Sequence, residues 1–171
     1  MNIIRKAIGA CLLILLSSAC SKNEMTTFTL KDVSIKAEGP LFEGSNTIQG
    51  DISNQLKAFA QTHQFSIDDL ATAKLKSVTI KQADSSVFDL FTSVKLQMVS
   101  EKSSMIDLGV INPITAGQKE IKLSVAGDQS NLLDLLKEEK FTIVADANMN
   151  KDHDGNVNWI CQLEFELSYK K

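Results

Sequence analysis

The chain is short of the residues that build reactive or stapled sites. It holds three cysteines and two histidines among 171 residues, with a formal net charge of −3. Thiols at Cys11, Cys20 and Cys161 are too few for a disulfide framework. His63 and His153 stand far apart and give no metal-ligand spacing. No Gly-x-Ser-x-Gly stretch exists to hold a strained nucleophile, and no glycine-rich loop to cradle phosphate. Lysine and arginine form no cluster, which argues against a nucleic-acid partner. The apolar run Ala7–Leu16 is about half the length a membrane-spanning helix needs. These absences leave no candidate catalytic residue, and we expect no enzymatic activity.

What the first residues do contain is an export pattern. Arg5 and Lys6 form a basic start, Ala7–Leu16 an apolar stretch, and Ser17-Ser18-Ala19 the small side chains that fit a signal peptidase cleft. Cys20 follows directly. This segment resembles the signal and lipobox of a bacterial lipoprotein, with Ser17 standing where Leu is more common. The resemblance covers the first twenty residues alone. It implies a signal peptide over 1–19, a diacylglyceryl thioether on the Cys20 sulfur, and cleavage of the Ala19–Cys20 bond. Two acyl chains suffice for stable anchoring, so the protein's membrane contact would be its N-terminal lipid. Ser21 in place of Asp lacks the common inner-membrane retention cue and favours the outer membrane; whether the domain faces the periplasm or the exterior stays open.

Loss of the signal removes Arg5 and Lys6 from eighteen basic residues and none of the 21 acidic ones, so the mature charge is 16 − 21 = −5. Residues 20–25 read as lipidated cysteine and short tether, and 26–171 as one domain, long enough for a packed core without staples. Phe28 and Leu30 alternate with polar residues; Val33 and Ile35 do so in the opposite phase, so Lys31-Asp32 marks a bulge or turn. Gly39-Pro40 and Gly44 read as turns. From Asp51 to Gln61 the period becomes helical, with Asp51 as N-cap, and Ser66 with Asp69 suits a further short turn. Val78 and Ile80 mark a strand. Val94, Leu96 and Met98 followed by Ile106, Leu108 and Val110 predict a hairpin, and Ile121, Leu123 and Val125 another strand. Ser130–Glu139 reads as a second helix. Phe141, Ile143 and Ala145 open a strand, and Val157 to Tyr169 is a long one with a bend or bulge expected inside it. Seven to nine strands with no strand–helix alternation predict a mainly β chain, an antiparallel β-sandwich (immunoglobulin-like or related) with two short helices in its connections.

One constellation resembles a binding loop. Asn150, Asp152, Asp154, Asn156 and Asn158 place side-chain oxygens at alternate positions with Gly155 sixth, as in calcium loops of EF-hand and dockerin modules. The twelfth position is Cys161, where a bidentate acid belongs, and the flanks are strands. Asp154-Gly155 is also a strong hairpin-turn signal, which by itself accounts for the segment. Cys161 lies on the apolar face between Trp159 and Leu163, as a buried small hydrophobe would.

The sequence therefore points to a lipid-anchored cell-envelope protein with a non-catalytic binding or assembly role and an envelope protein as partner. Two alternatives stand beside it: a carrier or sensor of an apolar ligand inside the sandwich, and a calcium-stabilised adhesin-like module.

Overall fold

The structure is a computed structural model that describes residues 23–171. The signal segment 1–19 and Cys20 lie outside the described residues. Nine strands are present among the described residues: β1 Asn23–Ala37, β2 Gly44–Ser53, β3 Leu70–Gln82, β4 Phe91–Val99, β5 Ile106–Ile111, β6 Glu120–Lys122, β7 Ser124–Val125, β8 Lys140–Met149 and β9 Val157–Lys170. Two short helices, α1 Leu56–Thr62 and α2 Leu132–Leu136, sit in connections.

Every pairing is antiparallel, as expected of the chain, and the strands make one hydrogen-bonded sheet in the order β6-β3-β9-β1-β2-β8-β4-β5-β7. The sheet curls until its two ends nearly meet. The run 120–125 makes this closure, pairing with β3 through Ile121↔Ile80 and with β5 through Ser124↔Val110. A strand that changes partners midway draws these two edges together, while β1 and β2 touch through the single pair Lys36↔Gln49.

The long C-terminal strand is built as its alternation implies. Val157, Trp159, Cys161, Leu163, Phe165, Leu167 and Tyr169 are all buried, against Phe28, Leu30, Val33 and Ile35 of β1 and Leu75, Val78 and Ile80 of β3. The expected irregularity falls in its neighbours rather than in β9. One extra residue enters β1 between Leu30 and Val33, and β3 carries two such shifts, near Leu70–Thr72 and Leu75–Ser77. Asp32 has φ 55° at the β1 bulge, the left-handed region that a short polar side chain tolerates. The bulge returns Val33 and Ile35 to the core face after the change of phase.

Three further expectations need correction. Strand pairing begins at Asn23↔Lys170, so Asn23–Met25 belong to β1 and not to a free tether. Asp51 lies in β2, where its carboxylate accepts a 2.7 Å hydrogen bond from the hydroxyl of its cross-strand partner Thr142; the helix starts only at Leu56, with Gln55 before it. The ten-residue pairing of β2 with β8 outweighs the helical spacing of Ile52 with Leu56. The second helix is a single turn, Leu132–Leu136, burying Leu132, Leu135 and Leu136. Ser66 and Asp69 do form a capping box, on a 3-10 turn at Ile67–Asp69.

The registers put the ends of the strands at two poles. The near pole holds the start of β1, the end of β9, both helices and the 100–105 loop. The far pole holds the connections 38–43, 83–90, 112–119 and 150–156.

Candidate functional site

Backbone and side-chain hydrogen bonds tie the four far-pole connections into one surface. Leu41 and His153 form a two-way β-bridge, with N–H donated each way at 2.8 and 2.9 Å. Asn150 donates its backbone N–H to Leu90 O (3.0 Å) and its amide to Asp89 O (2.7 Å). The Asp89 carboxylate accepts from the Gly117 N–H at 2.6 Å, and the Phe88 N–H reaches Gln118 O at 2.8 Å.

The five residues of the calcium-like pattern all lie at or beside this pole, and four of them serve as ties. Asp152 Oδ1 accepts the Glu43 N–H at 2.7 Å and Asn156 Oδ1 the Gly39 N–H at 2.9 Å. Asn158 Oδ1 accepts from the Ser34 hydroxyl at 3.0 Å, and Asn150 acts through its amide as above. Asp152 and Asn156 thus face the 38–43 connection, Asn158 faces β1 and Asn150 faces the 83–90 connection. Among the described residues no group of three or more His, Cys, Asp or Glu side chains is gathered closely enough to hold a metal ion. Gly39 lets the two connections touch: a Cβ there would lie 2.5 Å from Asp154 O and 2.6 Å from Gly155 O.

The clamped connection presents Phe42 to solvent. Its side chain is 63 % exposed, while its N–H donates to Asn46 Oδ1 (3.3 Å) and its carbonyl accepts from Asn46 Nδ2 (2.6 Å). The four connections carry Glu38, Glu43, Asp84, Asp89, Asp152 and Asp154 against Lys119 and Lys151, a balance of 2 − 6 = −4. Sequence reasoning passed over Phe42, because a lone aromatic between turn residues has no periodicity. Its presentation depends on pairing with a segment more than a hundred residues away.

Below this surface Phe88, Phe91 and Trp159 form an aromatic cluster, with ring centroids 4.8 Å apart for Phe91–Trp159 and 5.4 Å for Phe88–Trp159. Cys161 is next along the same face. Burial pushes its thiol up to about 12, so it stays protonated and unreactive in the folded protein.

The near pole carries clefts around Lys137–Lys140. The larger, of about 540 Å³, lies between α1, the 3-10 turn and the end of α2, with Phe65 and Ile67 in a lining of mixed charge. Phe65 stacks on Tyr169 at 4.2 Å, and the Tyr169 hydroxyl donates to Glu24 at 2.9 Å. No helix among the described residues is long and apolar enough to cross a membrane.

No protein-family model matches the chain, and no curated protein matches it significantly. Among solved structures, a chain of Desmodium yellow mottle tymovirus is similar over 100% of this chain and 95% of its own, with 15% identity and a TM-score of 0.34. A chain from infectious bursal disease virus, Gt strain, is similar over 96% of this chain and 36% of its own, at 10% identity and 0.39. A turnip yellow mosaic virus chain covers 85% and 94%, at 13% and 0.27. Likenesses this distant carry nothing about function.

Proposed function

We propose that the chain is a lipid-anchored cell-envelope protein, held through an acylated Cys20 in the outer membrane, whose far pole serves a non-catalytic binding or assembly role. The observation that carries this reading is the position of Asn23. It is already paired with Lys170, so only Ser21 and Lys22 separate Cys20 from the body of the sheet. The three steps from Cys20 to Asn23, whatever their conformation, reach at most about 11 Å. An acylated Cys20 thus keeps the near pole against the headgroups. The 14 residues of β9 lead away from it, a length of about 45 Å along the strand. The near-pole clefts then face lipid, and the far pole is the surface a soluble or envelope partner meets. On this reading β6-β3-β9-β1 and β2-β8-β4-β5-β7 act as the two layers of a sandwich, hinged where β1 and β2 share the single pair Lys36↔Gln49.

The test is Cys20→Ala followed by membrane fractionation. The variant is expected to move from the membrane pellet to the soluble fraction with its melting temperature unchanged. Membrane retention of Cys20→Ala overturns the anchored reading.

A further inference from the structure

Phe42 is out of keeping with the rest of the surface. Of the eight phenylalanines in the chain, Phe28, Phe65, Phe88, Phe91, Phe141 and Phe165 are buried and Phe59 is half-buried against the core. Phe42 alone is turned outward. A mobile loop would make such exposure unremarkable, but residues 41–43 are held at five backbone positions: the N–H and C=O of Leu41 by His153, the N–H and C=O of Phe42 by Asn46, and the N–H of Glu43 by Asp152. The clamp works through backbone groups, so the fold does not need an aromatic side chain at position 42. A large ring on a rigid platform loses little entropy when a partner covers it, which is the behaviour of an interface anchor.

The surroundings restrict what can cover it. Glu38 and Glu43 flank Phe42 in its own connection, and Asp152 and Asp154 stand in the connection bonded to it. Lys151 is the lone basic residue in these two segments. An acidic rim repels an anionic lipid surface and a second acidic copy of this chain, and favours a cationic one.

We infer that Phe42, on a connection that carries Glu38 and Glu43 and is bonded to the one that carries Asp154, is the anchor of a docking surface for a protein partner that offers an apolar pocket bordered by lysine or arginine. This inference rests on the binding reading above and deepens it.

The experiment places a photo-cross-linking benzoylphenylalanine at position 42 of the anchored protein in its own envelope, with the same probe at the exposed Met25, Met105 and Val110 for comparison. Position 42 is expected to give one discrete protein adduct, whose cross-linked peptide is apolar and flanked by Lys or Arg. The paired change Glu38→Lys and Asp154→Lys should cut that adduct at least fivefold at an unchanged melting temperature. Phe42→Ala should also melt as the wild type does, which a core role for the ring would not allow. An adduct insensitive to the charge reversal, one made of phospholipid, or one to a second copy of this chain overturns the surface as described. A protein adduct at position 110 with none at 42 rejects the Phe42 surface and leaves the binding reading standing, whereas protein adducts confined to the near-pole positions 25 and 105 reject the far-pole reading as well. No protein adduct at any of the four positions rejects both.

Discussion

Burial decides the chemistry of Cys161. Its sulfur lies between Trp159 and Leu163 on the inner face of β9, with Val33 and Ile80 as the paired residues on either side. Only the thiolate is nucleophilic, and desolvation raises the cost of forming it, so reaction must wait for the strand to leave the core. The thiol thereby becomes a reporter of global unfolding. In the processed, anchored protein, iodoacetamide at neutral pH is expected to leave Cys161 unmodified over hours. It should label Cys161 fully above the urea midpoint, as read by mass spectrometry. Rapid labelling in native buffer would mean that the β1–β9–β3 core opens locally. Period-two spacing was enough to foresee this burial, because every second residue from Val157 to Tyr169 is apolar or aromatic. The reverse holds for Asn150, Asp152, Asn156 and Asn158. Their spacing is the same whether the side chains converge on an ion or turn aside to bond neighbouring segments, and only the three-dimensional contacts show Asn150 turned to 83–90, Asp152 and Asn156 to 38–43 and Asn158 to Ser34.

Asn54 shows what sets the boundaries of the short elements. Its Oδ1 accepts the Leu56 N–H at 2.8 Å at the start of α1, while its Nδ2 donates to Leu136 O at 2.6 Å and Glu138 O at 2.7 Å at the end of α2. One half-buried amide thus satisfies orphan groups at the start of one helix and just past the other, both too short to be stable alone. Each such bond contributes about 1 kcal/mol net, so Asn54→Ala should cost about 2–3 kcal/mol. Asn54→Asp keeps the bond to Leu56 but turns a carboxylate toward two carbonyl oxygens, and should be at least as damaging at pH 7. Urea unfolding midpoints measure both. A midpoint equal to wild type in Asn54→Ala would show that apolar packing alone holds the helices. None of this was legible beforehand, since an Asn in a polar stretch reads equally well as a turn. The strand before it was hidden for a related reason. Within Gly44–Ser53 only Ile48 and Ile52 are aliphatic, and they sit four apart, which is helical spacing. Its strand form comes from β8, whose ladder runs from Met149 to Lys140 along the whole segment. By contrast, the change of phase at Lys31-Asp32 was visible because residues on both sides carry strong alternation.

The closure of the sheet belongs to the whole molecule. Ile121, Leu123 and Val125 alternate as one strand would, and nothing in that pattern says the first part pairs with β3 and the second with β5. Beyond them Gln129 stands in for a strand, with its Oε1 accepting the Leu75 N–H at 2.7 Å and its Nε2 donating to Leu75 O at 3.3 Å. Closed this way, and with no disulfide in the described residues, the fold depends on burial, its ladders and a scatter of surface charge. The titration of that charge has a definite sign. Asp107 is held below the usual carboxylate range by hydrogen bonds from Lys95 and Gln97, Asp84 by the backbone and side chain of Ser86, and Asp128 by those of Ser130. A carboxyl whose folded value lies below its unfolded one stabilises the fold above the unfolded value and loses that contribution as pH falls through the folded value. Melting temperature should therefore hold between about pH 7 and pH 5 and decline below about pH 4. All three groups face solvent, which screens them and keeps each effect small. Replacing all three by Asn preserves the acceptor oxygens and removes the titration, so the triple variant should lose less melting temperature between about pH 5 and pH 3 than the wild type does. Parallel declines in the two proteins would place the acid sensitivity in other carboxyls.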